Sequence, residues 1–91
     1  MARTLEWKVR VHLFEEDTAT KAHVVLDTGT ATLTGRGTAR CGPRDPDVPE
    51  IGDELAVSRA MHDLAQQLAR TAAGDLEGVR EALRRSARMT A

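Results

Sequence analysis

Leu5-Glu6-Trp7-Lys8-Val9-Arg10-Val11-His12-Leu13 alternates between apolar and polar side chains. That period of two places Leu5, Trp7, Val9, Val11 and Leu13 on one face of a β-strand and the charged residues on the other. Downstream, Glu15-Glu16-Asp17 interrupts the alternation as a polar turn. It resumes with Thr20, Ala22, Val24 and Leu26 opposed to Lys21, His23 and Val25. Asp27-Thr28-Gly29-Thr30 supplies a glycine where a tight hairpin needs positive φ. Ala31, Leu33, Gly35, Gly37 and Ala39 then alternate with Thr32, Thr34, Arg36, Thr38 and Arg40. Three antiparallel strands are expected, near 4–14, 18–27 and 31–40, joined as a meander. Gly35 and Gly37 fall on the inward face, where missing side chains would let a crossing helix come close.

Residues 41–52 hold Pro43, Pro46 and Pro49 with Gly42 and Gly52, too many backbone restrictions for a ladder of either kind. The stretch reads as a connecting loop rather than a polyproline ligand. From Asp53 the period lengthens. Val57, Met61, Leu64, Leu68 and Ala72, flanked by Ala60 and Ala65, recur three and four apart as the stripe of a helix near 52–73. Asp53 and Glu54 suit its N-terminal end, and Gly74 is placed to close it with a left-handed cap. Asp75 then caps a shorter helix near 75–87 carrying Leu76, Val79 and Leu83. The fold class predicted is α+β. It has a three-stranded antiparallel sheet, one face of it covered by a long helix and a shorter C-terminal helix, in one domain spanning residues 1–91. Trp7, Val9, Val11, Val24, Leu26, Leu33, Met61, Leu64 and Leu68 are expected to share its core.

Ninety-one residues suffice for one core and not two. A formal charge of −1 gives no global attraction to nucleic acid or anionic membrane, so any such binding must come from a local patch. No apolar run reaches the roughly 18 residues of a membrane span, and Met1-Ala2-Arg3-Thr4-Leu5 leads into a charged strand rather than an apolar signal core. With a single Cys41 and therefore no internal disulfide, a cytoplasmic location is expected.

The nearest approach to a metal cluster is Asp45, Asp47, Glu50, Asp53 and Glu54, but Pro46 and Pro49 interrupt it and the calcium-loop spacing is absent. His12 and His23 share the outward face of neighbouring strands, two ligands without a third. Cys41 and His62 have no identifiable catalytic partner, and Gly35-Arg36-Gly37 lies within a strand rather than before a helix. No enzyme, cofactor, metal site or small-molecule substrate is expected. The outward sheet face is more informative. It gathers Lys8, Arg10, Lys21, Arg36 and Arg40 with His12, His23 and threonines, opposed within the strands by Glu6. A two-residue Thr28-Gly29 turn would set Lys21 opposite Arg36, like charges that an anion would reconcile. Nearby Glu15 and Glu16 offer the alternative of an ordinary solvated face.

Asp47-Val48-Pro49-Glu50-Ile51-Gly52-Asp53-Glu54-Leu55-Ala56, followed by Ser58-Arg59-Ala60-Met61 and Asp63-Leu64, resembles a family of small bacterial proteins of unknown function. Trp7 and the stretch from Leu33 to Arg40 match it as well. The resemblance implies a fold similar to double-stranded RNA-binding domains without their first helix, and similar to ribosome hibernation factors. It also implies an association with stress and dormancy. The sequence therefore leads to a non-enzymatic stress-associated binding protein, homodimeric through its sheet edges. Ribosomal or other structured RNA would bind at Lys8, Arg10, Lys21, Arg36 and Arg40. The alternative is a protein-interaction or structural module using the proline loop and helix surface.

Overall fold

A computed structural model describes residues 2–42, 44, 46 and 48–90. Strands β1 (Lys8–Glu16), β2 (Ala19–Asp27) and β3 (Thr32–Arg40) form an antiparallel sheet in the order β1-β2-β3, followed by one helix, α1 (Pro49–Thr90). Asp17, at φ 47°, and Thr18 turn the first hairpin between Glu16 and Ala19. The second closes differently from the two-residue turn expected. Residues 28–31 form the loop, with Gly29 at φ +90°, its amide donating to Asp27 Oδ1 at 2.8 Å, and Thr28 N–H donating to Ala31 O. Two additional loop residues shift the register, so Lys21 lies opposite Thr38 and Arg36 opposite His23.

The inward alternation of β2 and β3 makes the core: Ala22, Val24, Leu26 and Ala39 meet Ala56, Ala60 and Leu64 of α1. Small residues on both sides let the layers approach. A Cβ at Gly35 would strike the Ala60 carbonyl oxygen and the Leu64 side chain, and one at Gly37 would strike Ala56 O and Ala60 N. The two glycines thus draw the helix onto β3 and β2. An α-helix is about 10 Å wide against ~4.8 Å per strand, so one helix covers two strands and leaves the third bare.

That third strand is β1, which α1 barely touches. Val9, Val11 and Leu13 point to the helix side, as their pairing with β2 requires, but they are exposed, Val11 at 43% and Leu13 at 42%, and Trp7, which precedes β1, is exposed as well. The expectation that Trp7, Val9 and Val11 join the core is therefore corrected: alternation assigned their face, and the helix lies elsewhere on it. Met61 is likewise exposed rather than buried.

The break expected at Gly74 does not occur. The chain is helical through Gly74, Asp75 and Gly78 for 42 residues, and among the described residues there is no second helix. Alanines and long-chain residues on both sides outweigh the ~1 kcal/mol that a mid-helix glycine costs. The helix also begins three residues before Gly52, at Pro49, whose fixed φ suits a first helical position. At 1.5 Å per residue α1 is about 63 Å long, against about 30 Å for a nine-residue strand. The molecule measures 69 × 28 × 18 Å, and the distal half of the helix extends past the sheet. Residues 69–80 are exposed throughout.

Candidate functional site

The sheet face opposite the helix carries every residue expected to bind a polyanion. Across the three strands its rows read Lys8, Asp27, Thr32; Arg10, Val25, Thr34; His12, His23, Arg36; Phe14, Lys21, Thr38; and Glu16, Ala19, Arg40. Lys8, Arg10, Lys21, Arg36 and Arg40 are all exposed, and among the described residues none stands in an ion pair. The register divides them. Lys8 has Asp27 directly opposite, and Arg40 shares its row with Glu16. Arg10, Lys21 and Arg36 surround the two histidines at the centre. From strand spacing and rise, Arg10 and Arg36 Cα atoms lie about 12 Å apart on opposite sides of β2. His23 packs edge-on against Phe14, ring centroids 5.3 Å apart at 62°, so one rim of the patch is aromatic.

His12 and His23 are direct cross-strand partners, and among the described residues no group of three His, Cys, Asp or Glu could hold a metal. Asp45 and Asp47 of the acidic stretch lie outside the described residues, as does Pro43 of the proline loop. Cys41 Sγ lies 3.5 Å from both Gly42 O and Pro46 O, and its amide donates to Thr18 O at 2.8 Å. Among the described residues no helix is long and apolar enough to cross a membrane.

The two sheet edges, through which a homodimer was expected, differ. At β3, Arg59 donates to Thr38 O at 2.7 Å, Asp63 accepts from Arg36 N–H at 2.9 Å, and Gln67 donates to Thr34 O at 2.8 Å. Four residues of helix rise ~6.0 Å and two of strand ~6.6 Å, so every fourth helix residue meets every second strand residue. This clamp was open to sequence reasoning only as three polar residues spaced by four beside the apolar stripe. At β1 no such side chains approach the edge among the described residues.

A second electrostatic feature lies where the first hairpin meets the start of α1. The Glu15 carboxyl is held above its ordinary value, first by a hydrogen bond shared with the Asp53 carboxyl and then by that group's charge. Asp53 Oδ1 is shielded from solvent. Glu54 stands one residue further on, so this corner is acidic.

A family model described as Rv2632c-like matches residues 5–85. The uncharacterized protein Mb1767 of Mycobacterium bovis is 40% identical over 73 residues, 80% of this chain and 78% of the relative. The uncharacterized protein Rv2632c of Mycobacterium tuberculosis is 40% identical over 70 residues, 77% of this chain and 75% of the relative. The crystal structure of Rv2632c superimposes with a TM-score of 0.79 at 36% identity, covering 86% of this chain and 93% of that one.

Proposed function

The chain belongs to the Rv2632c-like family, and on that premise we propose that it is a non-enzymatic binding protein whose open sheet face engages a polyanion, structured RNA or the ribosome. One observation carries the reading: Arg10, Lys21 and Arg36 converge around His12 and His23 on a helix-free face without an ion pair among the described residues. A protein of net charge −1 thereby presents a cationic patch to a polyanion, with charged residues that are already solvated and positioned. Phe14 and His23 add ring surface at its rim.

The mode differs from that of a double-stranded RNA-binding domain. Glu50, Asp53 and Glu54 occupy the start of α1, where phosphate contacts would call for cations. On this reading the sheet is the binding surface, and the resemblance to such domains implies a related fold without their mode of binding. Action on ribosomes in the cytoplasm during stress or dormancy, which the resemblance implies, forms part of the same proposal.

The test is co-sedimentation with ribosomes and titration against structured RNA at increasing salt. Each phosphate neutralised should contribute a slope of about −0.7 to −0.9 to the logarithm of affinity against the logarithm of salt. Replacing Arg10 and Arg36 together by Gln leaves the core intact and should weaken binding and flatten that slope. A folded double variant that binds as the parent does, or a parent that fails to bind at low salt, would refute the reading.

A further inference from the structure

On the helix side of the sheet, the strand left bare and the overhanging half of α1 form complementary apolar surfaces. Val9, Val11 and Leu13 make the floor of a groove, since β1 faces the helix layer and among the described residues nothing buries them further than 51%, 43% and 42% exposure. Its wall is the flank of α1 turned away from β3. At about 100° per residue, Met61 stands some 200° around the helix from the Arg59 that clamps β3, and Val57 and Leu68 lie on the same flank as Met61. Val57 and Leu68 are half-buried against the core, while Met61 is exposed. Past the sheet this stripe continues through Ala72 to Leu76, Val79 and Leu83, which are 50%, 58% and 65% exposed. A helix of two dozen residues with an apolar seam and no neighbour is marginal in water, for helices in proteins owe most of their stability to packing of such a face.

We propose that the groove over β1 seats the overhanging half of α1 from a second copy of this chain, antiparallel to the helix beside it, in a reciprocal two-fold dimer. Register, charge and area support this occupant. A two-fold axis near Arg70 sets Leu68 beside Ala72, Met61 beside Val79 and Val57 beside Leu83, with Leu76 level with the core residue Leu64. The incoming stripe from Leu76 to Leu83 spans about 10 Å and the floor from Val9 to Leu13 about 13 Å, so one lies along the other.

Charge fixes the direction. Glu15, Asp53 and Glu54 make one end of the groove acidic, and although Arg84 pairs with Glu77 and Glu81 of its own helix at 2.8 Å, Arg80, Arg85 and Arg88 leave the last turns of α1 basic. An antiparallel partner brings those arginines to the acidic end, whereas a parallel one would set them beside their own copies. A helix ~10 Å across that lays a third of its circumference along ~33 Å of overhang covers on the order of 350 Å². Reciprocity raises this to roughly 700 Å² per protomer, near the ~800 Å² of a stable interface. The contact lies opposite the cationic face and leaves it open, so the dimer and the proposed polyanion binding stand or fall separately.

Sedimentation of the full chain at micromolar concentration should give about twice the 9.9 kDa mass. Val79→Glu alters a side chain in the overhang, clear of the sheet, so the core should still unfold cooperatively while the protein sediments as a monomer and loses part of its helical circular dichroism. Mixing Met61→Cys with Val79→Cys protein, each with Cys41→Ser, should yield a disulfide-linked pair that Met61→Cys alone does not form. A monomeric parent would overturn the proposal, as would a Val79→Glu protein that remains dimeric or a dimeric mixture without the cross-link.

Discussion

Asp63 Oδ2 accepts the backbone N–H of Arg36 at 2.9 Å, so a helix side chain completes the ladder of a strand that would otherwise be an open edge. Gln67 supports the same oxygen at 3.2 Å while reaching Thr34 O. The contact holds the Asp63 carboxyl below its ordinary value of 3.8, mainly through the Arg36 amide, with help from Gln67, Arg70 and the Arg36 charge against partial desolvation. A carboxyl lowered on folding contributes stability above its unfolded value and loses it as pH falls through the folded one. Denaturant midpoints of the parent should therefore fall as pH drops below 3.8, and Asp63→Asn should lose this part of the pH dependence. Parallel pH profiles for the two proteins would show that the carboxylate does not hold the edge.

Gly37→Ala tests the approach of helix to sheet. The added methyl meets backbone, Ala56 O and Ala60 N, rather than a side chain that could swing away. The helix must lift from β3, at a cost of about 1–3 kcal/mol or more, as overpacking of a filled core costs. Gly35→Ala should behave alike. Chemical denaturation that leaves either variant within a few tenths of the parent would mean the layers are looser than described.

Leu64→Ala should cost about 2–5 kcal/mol, because Leu64 is buried against β2 and β3. Val11→Ala removes a side chain 43% exposed in the single chain, so at dilutions where copies separate its cost should be a small fraction of that. At concentrations where copies associate, the Val11→Ala cost should grow, since association stabilises the folded state by mass action. Equal costs at all concentrations would place β1 outside any contact between copies.

Much of this arrangement was legible from alternation and much was not, for one physical reason. Period two assigns a side chain to a face, and it did so correctly for Val9, Val24 and Leu33 alike. It contains nothing about what lies above that face. The helix position was written instead in Gly35 and Gly37, which single out β3 and so leave Val9 and Val11 bare. The outward placement of Lys8, Arg10, Lys21, Arg36 and Arg40 was readable, because it too needs only the period. Their neighbours were not, because the loop at residues 28–31 sets the register by hydrogen bonds of Asp27 and Thr28 that composition leaves open.

Gly74 decides between one helix and two. A glycine closing a helix would sit at positive φ, where alanine is strained and costs about 1 kcal/mol. Among the described glycines only Gly29 has positive φ, and a Cβ added at Gly74 or Gly78 meets nothing within 4 Å. In a continuous helix both positions instead carry only glycine's entropic penalty, so Gly74→Ala and Gly78→Ala should each stabilise by about 0.5–1 kcal/mol and raise the helical circular dichroism signal. The measurement bears on more than local geometry. Only an unbroken helix keeps Leu76, Val79 and Leu83 in phase with Leu68 and Met61, and a cap at Gly74 would swing the distal stripe off the flank that borders β1. Destabilisation by Gly74→Ala with Gly78→Ala neutral would therefore restore the two-helix arrangement and remove the continuous seam.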